Sequence, residues 1–151
     1  MNPHRRKTIT LLTGALTALS ATSAGLAQYR PQVVVYKSPT CGCCTGWVDH
    51  MRANGFRIES HDIDDVAPIK RKLGVADKFA SCHTATVGGY AIEGHVPAAD
   101  IRRLLTERPK AVGLAAPGMP VGSPGMPGNP QPYDVLLLTA DGGSRLWKRH
   151  P

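Results

Sequence analysis

Three cysteines stand within four residues of one another, and this spacing is the most informative chemical feature of the sequence. Cys41, Cys43 and Cys44 form the stretch Cys-Gly-Cys-Cys, and Cys82 is the one other cysteine. Adjacent cysteines such as Cys43 and Cys44 make a poor disulfide because the ring requires a strained peptide, and three thiols cannot all pair locally. Two kinds of chemistry remain open: thiol–disulfide exchange and metal binding.

Thiol–disulfide exchange would use the outer pair of this stretch. Cys41 and Cys44 have the C-x-x-C spacing, and at the start of a helix the free backbone N–H groups and the helix dipole favour the thiolate form. That arrangement is typical of thiol–disulfide oxidoreductases. Enzymes of this kind usually place a cis-proline against the exchanging cysteines, whereas no proline lies between Ser81 and Val87. This difference argues against exchange as the main function.

Metal binding would use all four cysteines. Soft thiolates select copper(I), zinc or iron–sulfur centres. Closely spaced thiolates repel one another unless cations lie between them, and several copper(I) ions bridged by shared sulfurs remove that repulsion. A single tetrahedral zinc prefers ligand pairs on separate turns, so zinc is the less favoured metal. The positions of Cys41, Cys43, Cys44 and Cys82 therefore predict a site for more than one copper(I) ion.

Three further side chains are candidate metal ligands. His83 follows Cys82 directly and could bind the metal or hydrogen-bond to a sulfur. Met119 and Met126 carry soft thioethers, which copper(I) accepts, in a loop that can bury little; packing of both methionines onto the domain is the alternative. His95 precedes the third predicted helix and is interpreted as a cap of that helix.

The elements that must hold these residues are predicted from the hydrophobic pattern. The signals are β-branched runs, helical spacing of apolar residues, and Gly or Pro at the turns. In chain order they predict a strand over 32–37, a helix over 43–54, a strand over 56–63, a short helix containing Val66, Ile69 and Leu73, strands over 84–87 and 90–93 joined by Gly88-Gly89, and a helix between Pro97 and Pro109 with Ile101, Leu104 and Leu105 as its buried stripe.

This β-α-β-α-β-β-α order is that of the thioredoxin fold, an α/β domain with a mixed sheet and a hairpin at one edge. The cysteine stretch falls between the first strand and the first helix, where thioredoxin-like proteins carry their active-site cysteines. Trp47 and Met51 share one face of that helix and are predicted core residues. The segment before the third strand packs near the start of the first helix in this fold, so we expect Cys82 to meet the other cysteines.

The tail of the chain has a different composition. Residues 117–128 nearly repeat the unit Pro-Gly-Met-Pro, which fits neither a helix nor a central strand and predicts an extended loop. Residues 133–139 and 144–148 predict a second hairpin around Asp141-Gly142-Gly143. We therefore expect residues 28–151 to form a single thioredoxin-like metal-binding domain, in which residues 119–151 supply the loop and the C-terminal hairpin.

Residues 1–27 have the layout of a secretory signal peptide. Arg5, Arg6 and Lys7 form a basic region, residues 9–19 are mostly apolar, and small residues precede a cleavage point after Ala27. The apolar stretch is too short and too rich in Thr and Ser to span a membrane well. We expect export to the periplasm, by the general secretory route in preference to the twin-arginine route, and no stable membrane insertion after cleavage.

The charge of the chain argues against nucleic acid as a partner. Lys and Arg number 18 against 11 Asp and Glu, and three of the basic residues lie in residues 1–27, so the remaining chain carries a net charge of only +4. Aromatic residues make up 5% of the sequence, too few to stack many bases. The one interior basic run, Lys70-Arg71-Lys72, is interpreted as a solvated helix face.

The combined motifs resemble those of the periplasmic copper-resistance CopG-like family. The resemblance covers roughly residues 32–138 and rests on the cysteine stretch with Trp47 and His50, and on residues 81–85, 89–97 and 113–126. It implies a thioredoxin-like fold, a cysteine-bridged copper(I) site and a role in copper tolerance. The family's cysteines match four positions of this chain, which are Cys41, Cys43, Cys44 and Cys82.

Three functions are consistent with these features. The favoured one is binding of copper(I) ions by a non-enzymatic protein of periplasmic copper resistance or copper handling, together with other periplasmic copper-handling proteins. The alternative is a thiol–disulfide oxidoreductase that uses Cys41 and Cys44. The third is a domain held together by disulfides. Redox activity on copper or thiols stays open.

Overall fold

Seven strands and three α-helices follow one another in residues 30–151, the part of the chain that the structure, a computed structural model, describes. The predicted signal peptide of residues 1–27 lies outside these residues. The elements are β1 (Gln32–Lys37), α1 (Gly42–Ala53), β2 (Arg57–Asp62), α2 (Ala67–Lys72), a 3₁₀ turn (Asp77–Phe79), β3 (His83–Val87), β4 (Tyr90–Glu93), α3 (Ala98–Glu107), β5 (Gly113–Ala115), β6 (Tyr133–Leu138) and β7 (Ser144–His150). No helix of the described residues is long and apolar enough to cross a membrane.

All seven strands form one mixed sheet, in the order β2-β1-β3-β4-β5-β6-β7. β1 pairs with β2, and β4 with β5, in parallel, and the other neighbouring pairs are antiparallel. The α/β class and the mixed sheet are therefore as predicted. The expected place of the β3–β4 hairpin at a sheet edge is wrong, because β5, which the sequence pattern does not predict, continues the sheet to the hairpin of β6 and β7.

The core lies where β1, α1 and α3 pack together. Val33 and Val35, on one face of β1, are fully buried. Trp47 and Met51 occupy the buried face of α1, as their helical spacing predicts. Ile101 and Leu104 of α3 complete this cluster. Full burial of a large apolar side chain contributes about 1.5–3 kcal/mol. This packing holds α1, and with it the cysteine stretch, against the sheet.

The interpretation of the basic run is wrong for one of its three residues. Arg71 and Lys72 are exposed, but Lys70 is buried. Its Nζ lies 2.5 Å from Oε1 of Glu93, which ends β4 and is fully buried. Because neighbouring residues of a helix point in different directions, one lysine of a run can enter the interior where a carboxylate compensates its charge.

Candidate metal centre

The cysteine stretch forms the first turn of α1. β1 ends at Lys37, the turn Ser38-Pro39-Thr40 follows, and Cys41 is the N-cap residue of the helix. The side chain of Cys41 makes no capping hydrogen bond, and its backbone N–H donates to the Ser38 carbonyl oxygen at 3.2 Å. The first-turn N–H groups are therefore left without a side-chain cap, and a helix start of this kind favours anionic sulfur.

All four cysteine sulfurs meet at this helix start. The Sγ atoms of Cys41, Cys43, Cys44 and Cys82 all lie within 4.8 Å of one another. Cys43 Sγ is 3.5 Å from Cys41 Sγ and 4.0 Å from Cys82 Sγ. The tertiary fold thus brings the distant Cys82 to the cysteine stretch, as the predicted order of elements requires.

Two of the four sulfurs are covalently joined. Cys41 and Cys44 form a disulfide, whereas Cys43 and Cys82 are free and half-buried. In this state the site offers two thiols, and reduction of the disulfide supplies two more. The same set of sulfurs therefore suits two chemistries, which are exchange at the Cys41–Cys44 pair and metal binding by the reduced set.

Cys82 lies directly before β3, beside the Cys43 thiol and two histidines. Burial raises the pKa of the Cys82 thiol to about 11, and the neighbouring Cys43 adds to the rise. Cys82 Sγ is 3.5 Å from Nδ1 of His83 and 3.1 Å from Nε2 of His95. Ligand atoms of these three residues lie within 4.8 Å of one another. Cys82 therefore belongs to two groups, one of sulfurs alone and one of sulfur and nitrogen.

His83 is fully buried beside the thiols. Burial, reinforced by the Coulombic effects of His95 and Lys70, lowers the pKa of His83 to about 3, so its ring is neutral at neutral pH. The ring packs against Trp47 with the centroids 4.6 Å apart. Its Nε2 has no hydrogen-bond partner within residues 30–151. A neutral imidazole beside a thiol can serve as a metal ligand.

His95 is the site residue that the sequence analysis did not select. Its Nδ1 lies 2.7 Å from the Pro124 carbonyl oxygen, which can only accept, so Nδ1 carries the proton and Nε2 presents a lone pair to Cys82. Burial lowers the pKa of His95 and favours this neutral form. The contact to α3 that was expected of His95 is made by His50, whose Nε2 accepts the Ala98 N–H at 3.1 Å.

Cys82 and His95 lie together because β3 and β4 form an antiparallel hairpin. Thr84 pairs with Glu93, and the same register, continued by two residues, places Cys82 opposite His95. The Gly88-Gly89 turn predicts this hairpin and sets its register. His95 could therefore have been found from the sequence by extending the pairing beyond the predicted strands.

The loop over residues 117–128 packs against the cysteine site. Ser81 and Gly118 form a β-bridge, and Gly125 lies against the first turn of α1. Residue 125 has a φ of +85°, and a Cβ there would fall 2.7 Å from the Cys43 carbonyl oxygen, so glycine is required. The backbone of this loop therefore forms one side of the site. The predicted loop is present, but its predicted extended conformation is wrong, because residues 121–125 form successive turns.

The two candidate methionines occupy different surroundings on this loop. Met126 follows Gly125 and is half-buried. Met119 follows Gly118, and its side chain is 55% exposed. Both therefore lie next to residues that contact a cysteine-bearing segment, and Met119 does not pack into the domain core.

Comparisons with known proteins match the part of the chain that carries this site. The model of a family described as "Protein of unknown function, DUF411" matches residues 79–126. Two solved structures, described as forms 2 and 1 of "Copper resistance protein copG", are each 42% identical to the chain over 82% of its length. The matches cover 100% and 99% of those proteins, with TM-scores of 0.77 and 0.76. No curated protein matches the chain. On this likeness, the chain belongs to the CopG copper-resistance family.

Proposed function

We propose that the protein binds copper(I) through Cys41, Cys43, Cys44 and Cys82, in periplasmic copper resistance or copper handling. The observation that carries the proposal is the approach of four sulfurs to within 4.8 Å of one another. Thiolates are soft ligands that favour copper(I) over hard cations. The family relatives are described as copper resistance proteins, which supports copper as the metal.

More than one copper(I) ion suits this spacing better than a single metal ion. Thiolates so close together repel one another, and each copper(I) neutralises one of them. Shared sulfurs let several ions occupy a small volume, whereas one zinc prefers four separate ligands at tetrahedral corners. We add three residues to the proposed ligand set. His83 is included because its ring adjoins Cys82 Sγ, and Met119 and Met126 because they lie in the loop that contacts the site.

Copper loading requires the reduced form of the site. An external thiol reductant reduces the Cys41–Cys44 disulfide to two thiols and is itself oxidised to a disulfide, and copper(I) then displaces the thiol protons. Burial holds the pKa of Cys82 at about 11, so this thiol keeps its proton until a cation replaces it. Copper affinity should therefore increase with pH.

A thiol–disulfide oxidoreductase is the second candidate function, and the Cys41–Cys44 disulfide at the start of α1 favours it. In such an enzyme a thiolate of the reduced pair attacks a disulfide of the partner protein. Cys43 and Cys82 have no required part in that exchange. The two candidate functions therefore differ in the cysteines that they need.

Metal analysis of the mature chain tests the proposed function. Protein purified without oxygen after growth with copper should contain several copper atoms per chain, with no thiol free to react until a chelator removes the copper. Metal-free protein with an intact Cys41–Cys44 disulfide would contradict copper binding. One zinc atom per chain would contradict the choice of metal.

Single substitutions separate the two candidate functions. Cys43→Ser and Cys82→Ser should each lower the number of bound copper ions, because each removes a sulfur that bridges ions. An oxidoreductase would tolerate both changes and lose activity with Cys41→Ser. His61→Gln on the exposed face of β2 is the control, and it should keep the copper content of the wild type.

Export is a separate part of the proposal. The basic and apolar layout of residues 1–27 supports cleavage after Ala27, so that residues 28–151 form one domain in the periplasm. There the protein would exchange copper with other copper-handling proteins. N-terminal sequencing of protein from the periplasmic fraction should begin at Gln28. Protein that starts at Met1, or that remains in the cytoplasmic fraction, would contradict this assignment.

A further inference from the structure

A buried network of charged and polar groups adjoins the segment that carries Cys82. Lys70 Nζ lies 2.5 Å from Glu93 Oε1 and donates to Thr84 Oγ1 at 2.8 Å. The Thr84 hydroxyl donates to Glu93 Oε2 at 2.6 Å. Glu93 Oε1 also accepts the backbone N–H of Ser81 at 2.5 Å. The network therefore joins α2, β3 and β4 to the residue that precedes Cys82.

Stability alone does not account for this network. Apolar residues of similar volume often stabilise a core as well as a buried ion pair does, because desolvation of both charges offsets their attraction. The ion pair provides direction, which apolar residues lack, since the Glu93 carboxylate must lie where its three donors meet. One of those donors is the Ser81 N–H. The position of the carboxylate and the position of this backbone segment are therefore coupled.

Cys82 lies between two anchored residues. On one side the Ser81 N–H is bound by Glu93. On the other side the His83 carbonyl oxygen accepts the Gly94 N–H at 3.0 Å. The result is a distance of 4.0 Å between the sulfurs of Cys82 and Cys43, although they come from separate elements. Ser81 also forms the bridge with Gly118. Loss of the Glu93 contact would therefore loosen this segment and let Cys82 move further from the other sulfurs.

We propose that Glu93, supported by Lys70 and Thr84, is a positioning residue that holds the Ser81–Cys82 segment so that the Cys82 sulfur stays within reach of Cys43. Glu93 acts through the Ser81 backbone and not as a metal ligand. The inference rests on the proposed function, because the place of Cys82 matters most when its sulfur shares a metal with the others.

The position of Cys82 can be measured without metal. In the mature chain carrying Cys41→Ser and Cys44→Ser, glutathione disulfide oxidises the Cys43 and Cys82 thiols to one protein disulfide and is itself reduced to two molecules of glutathione. The equilibrium constant gives the effective concentration of one thiol at the other. This concentration falls when the two segments are no longer held together.

Two double variants separate positioning from the loss of buried charge. Lys70→Met with Glu93→Gln removes both charges and keeps an oxygen that can accept the Ser81 N–H, whereas Lys70→Met with Glu93→Leu removes that oxygen as well. The first should keep the wild-type effective concentration within about threefold, and the second should lower it by about tenfold. Equal effective concentrations in the two variants would overturn the proposal.

Substitutions at Thr84 give a second test that changes the core less. Thr84→Val removes the hydroxyl donor to Glu93 and should lower the effective concentration by about threefold, while Thr84→Ser should restore it. A wild-type value for Thr84→Val would overturn the supporting role of Thr84 and, where the leucine variant does not fold, the proposal itself.

Copper content distinguishes failure of this inference from failure of the proposed function. The Lys70, Glu93 and Thr84 variants are prepared with all four cysteines, and bound copper is counted. Wild-type protein that binds no copper, although the Glu93→Leu double variant still lowers the effective concentration, contradicts the proposed function alone. Wild-type protein that binds copper, with equal effective concentrations in all variants, contradicts the positioning role alone.

Discussion

At the scale of single residues, the chemistry of Cys82 depends on two opposing influences. Burial and the neighbouring Cys43 raise the pKa of its thiol, and the hydrogen bond from Ser81 acts against that rise. Burial is the largest of these effects, so the pKa reaches about 11. The thiol of the metal-free protein is therefore protonated at neutral pH, and a bound cation has to supply the stabilisation that the surroundings withhold from the thiolate.

Cys82 should accordingly react slowly with thiol reagents in the metal-free protein. With the Cys41–Cys44 disulfide intact, alkylation by iodoacetamide should be slow at pH 8 and should accelerate as the pH approaches about 11. Cys43→Ser should move this acceleration to lower pH, because Cys43 raises the pKa of Cys82. Alkylation rates against pH, with the label located by peptide mass spectrometry, check both statements. A rate at pH 8 equal to that of glutathione would contradict them.

At the scale of elements, the loop over residues 117–128 completes a site that α1 and the start of β3 begin. Gly118 forms a bridge with Ser81, and Gly125 lies against the backbone of Cys43 and Trp47. These contacts are made by the backbone, and at residue 125 a larger side chain would not fit. Backbone contacts, more than burial of side chains, therefore hold this loop at the site.

Gly125→Ala should disturb this approach. Its Cβ would overlap the Cys43 carbonyl oxygen, and the φ of +85° adds strain. We expect the free energy of unfolding to fall by about 2–4 kcal/mol and the copper content to fall with it. Gly118→Ala is the matched control, because its φ is +70° but its added Cβ meets no atom within 4 Å. Only strain of about 1–2 kcal/mol remains there. Equal losses in urea denaturation would show that close packing at residue 125 is unimportant.

The C-terminal hairpin is fastened to α3 by a largely buried pair. His150 Nε2 lies 2.6 Å from Asp100 Oδ2, with side chains 15% and 2% exposed. His150→Ala should lower the free energy of unfolding by about 1–3 kcal/mol, because it leaves the Asp100 carboxylate buried without this partner. Arg149→Ala removes an exposed ion pair with Asp134 on the same hairpin and should have little effect. Urea denaturation of both variants makes the comparison, and similar midpoints would refute it.

At the scale of the whole molecule, folding keeps three histidines neutral. Burial lowers the pKa of His83 to about 3 and also lowers the pKa of His50 and of His95. In the unfolded chain each ring takes up a proton as the pH falls through about 6.5. The folded chain takes up these protons only at lower pH. Acid therefore favours the unfolded state in this range.

The metal-free protein should lose stability as the pH falls below about 6.5. Protonation of a histidine in the unfolded state alone lowers the free energy of unfolding by up to about 1.4 kcal/mol per pH unit, and His83 continues this effect down to a pH of about 3. His50→Gln keeps an acceptor for the Ala98 N–H and should make the slope shallower, with His61→Gln as the exposed control. Urea denaturation at pH 7, 6 and 5 measures the slope, and a flat profile would contradict the prediction.

Most of the fold could be predicted because its signals are local. The valines of β1, the helical spacing of Trp47 and Met51, and the Gly88-Gly89 turn each lie within a few residues of the structure that they predict. β5 could not be predicted in this way. Gly113–Ala115 is three residues long and buried throughout, with neither the length nor the alternation of a typical strand, and it becomes a strand because β4 and β6 pair with it.

The sequence by itself determined which groups are available for chemistry: three thiols at one helix start, a fourth before a strand, and a loop rich in Pro, Gly and Met. Only the tertiary structure decided which of them meet. Cys82 faces His95 because β3 and β4 pair, and Lys70 reaches Glu93 because α2 packs beside them. Residue type sets the ligand chemistry of a group, whereas distances between remote groups follow from strand register and packing, which arise only when the whole chain has folded.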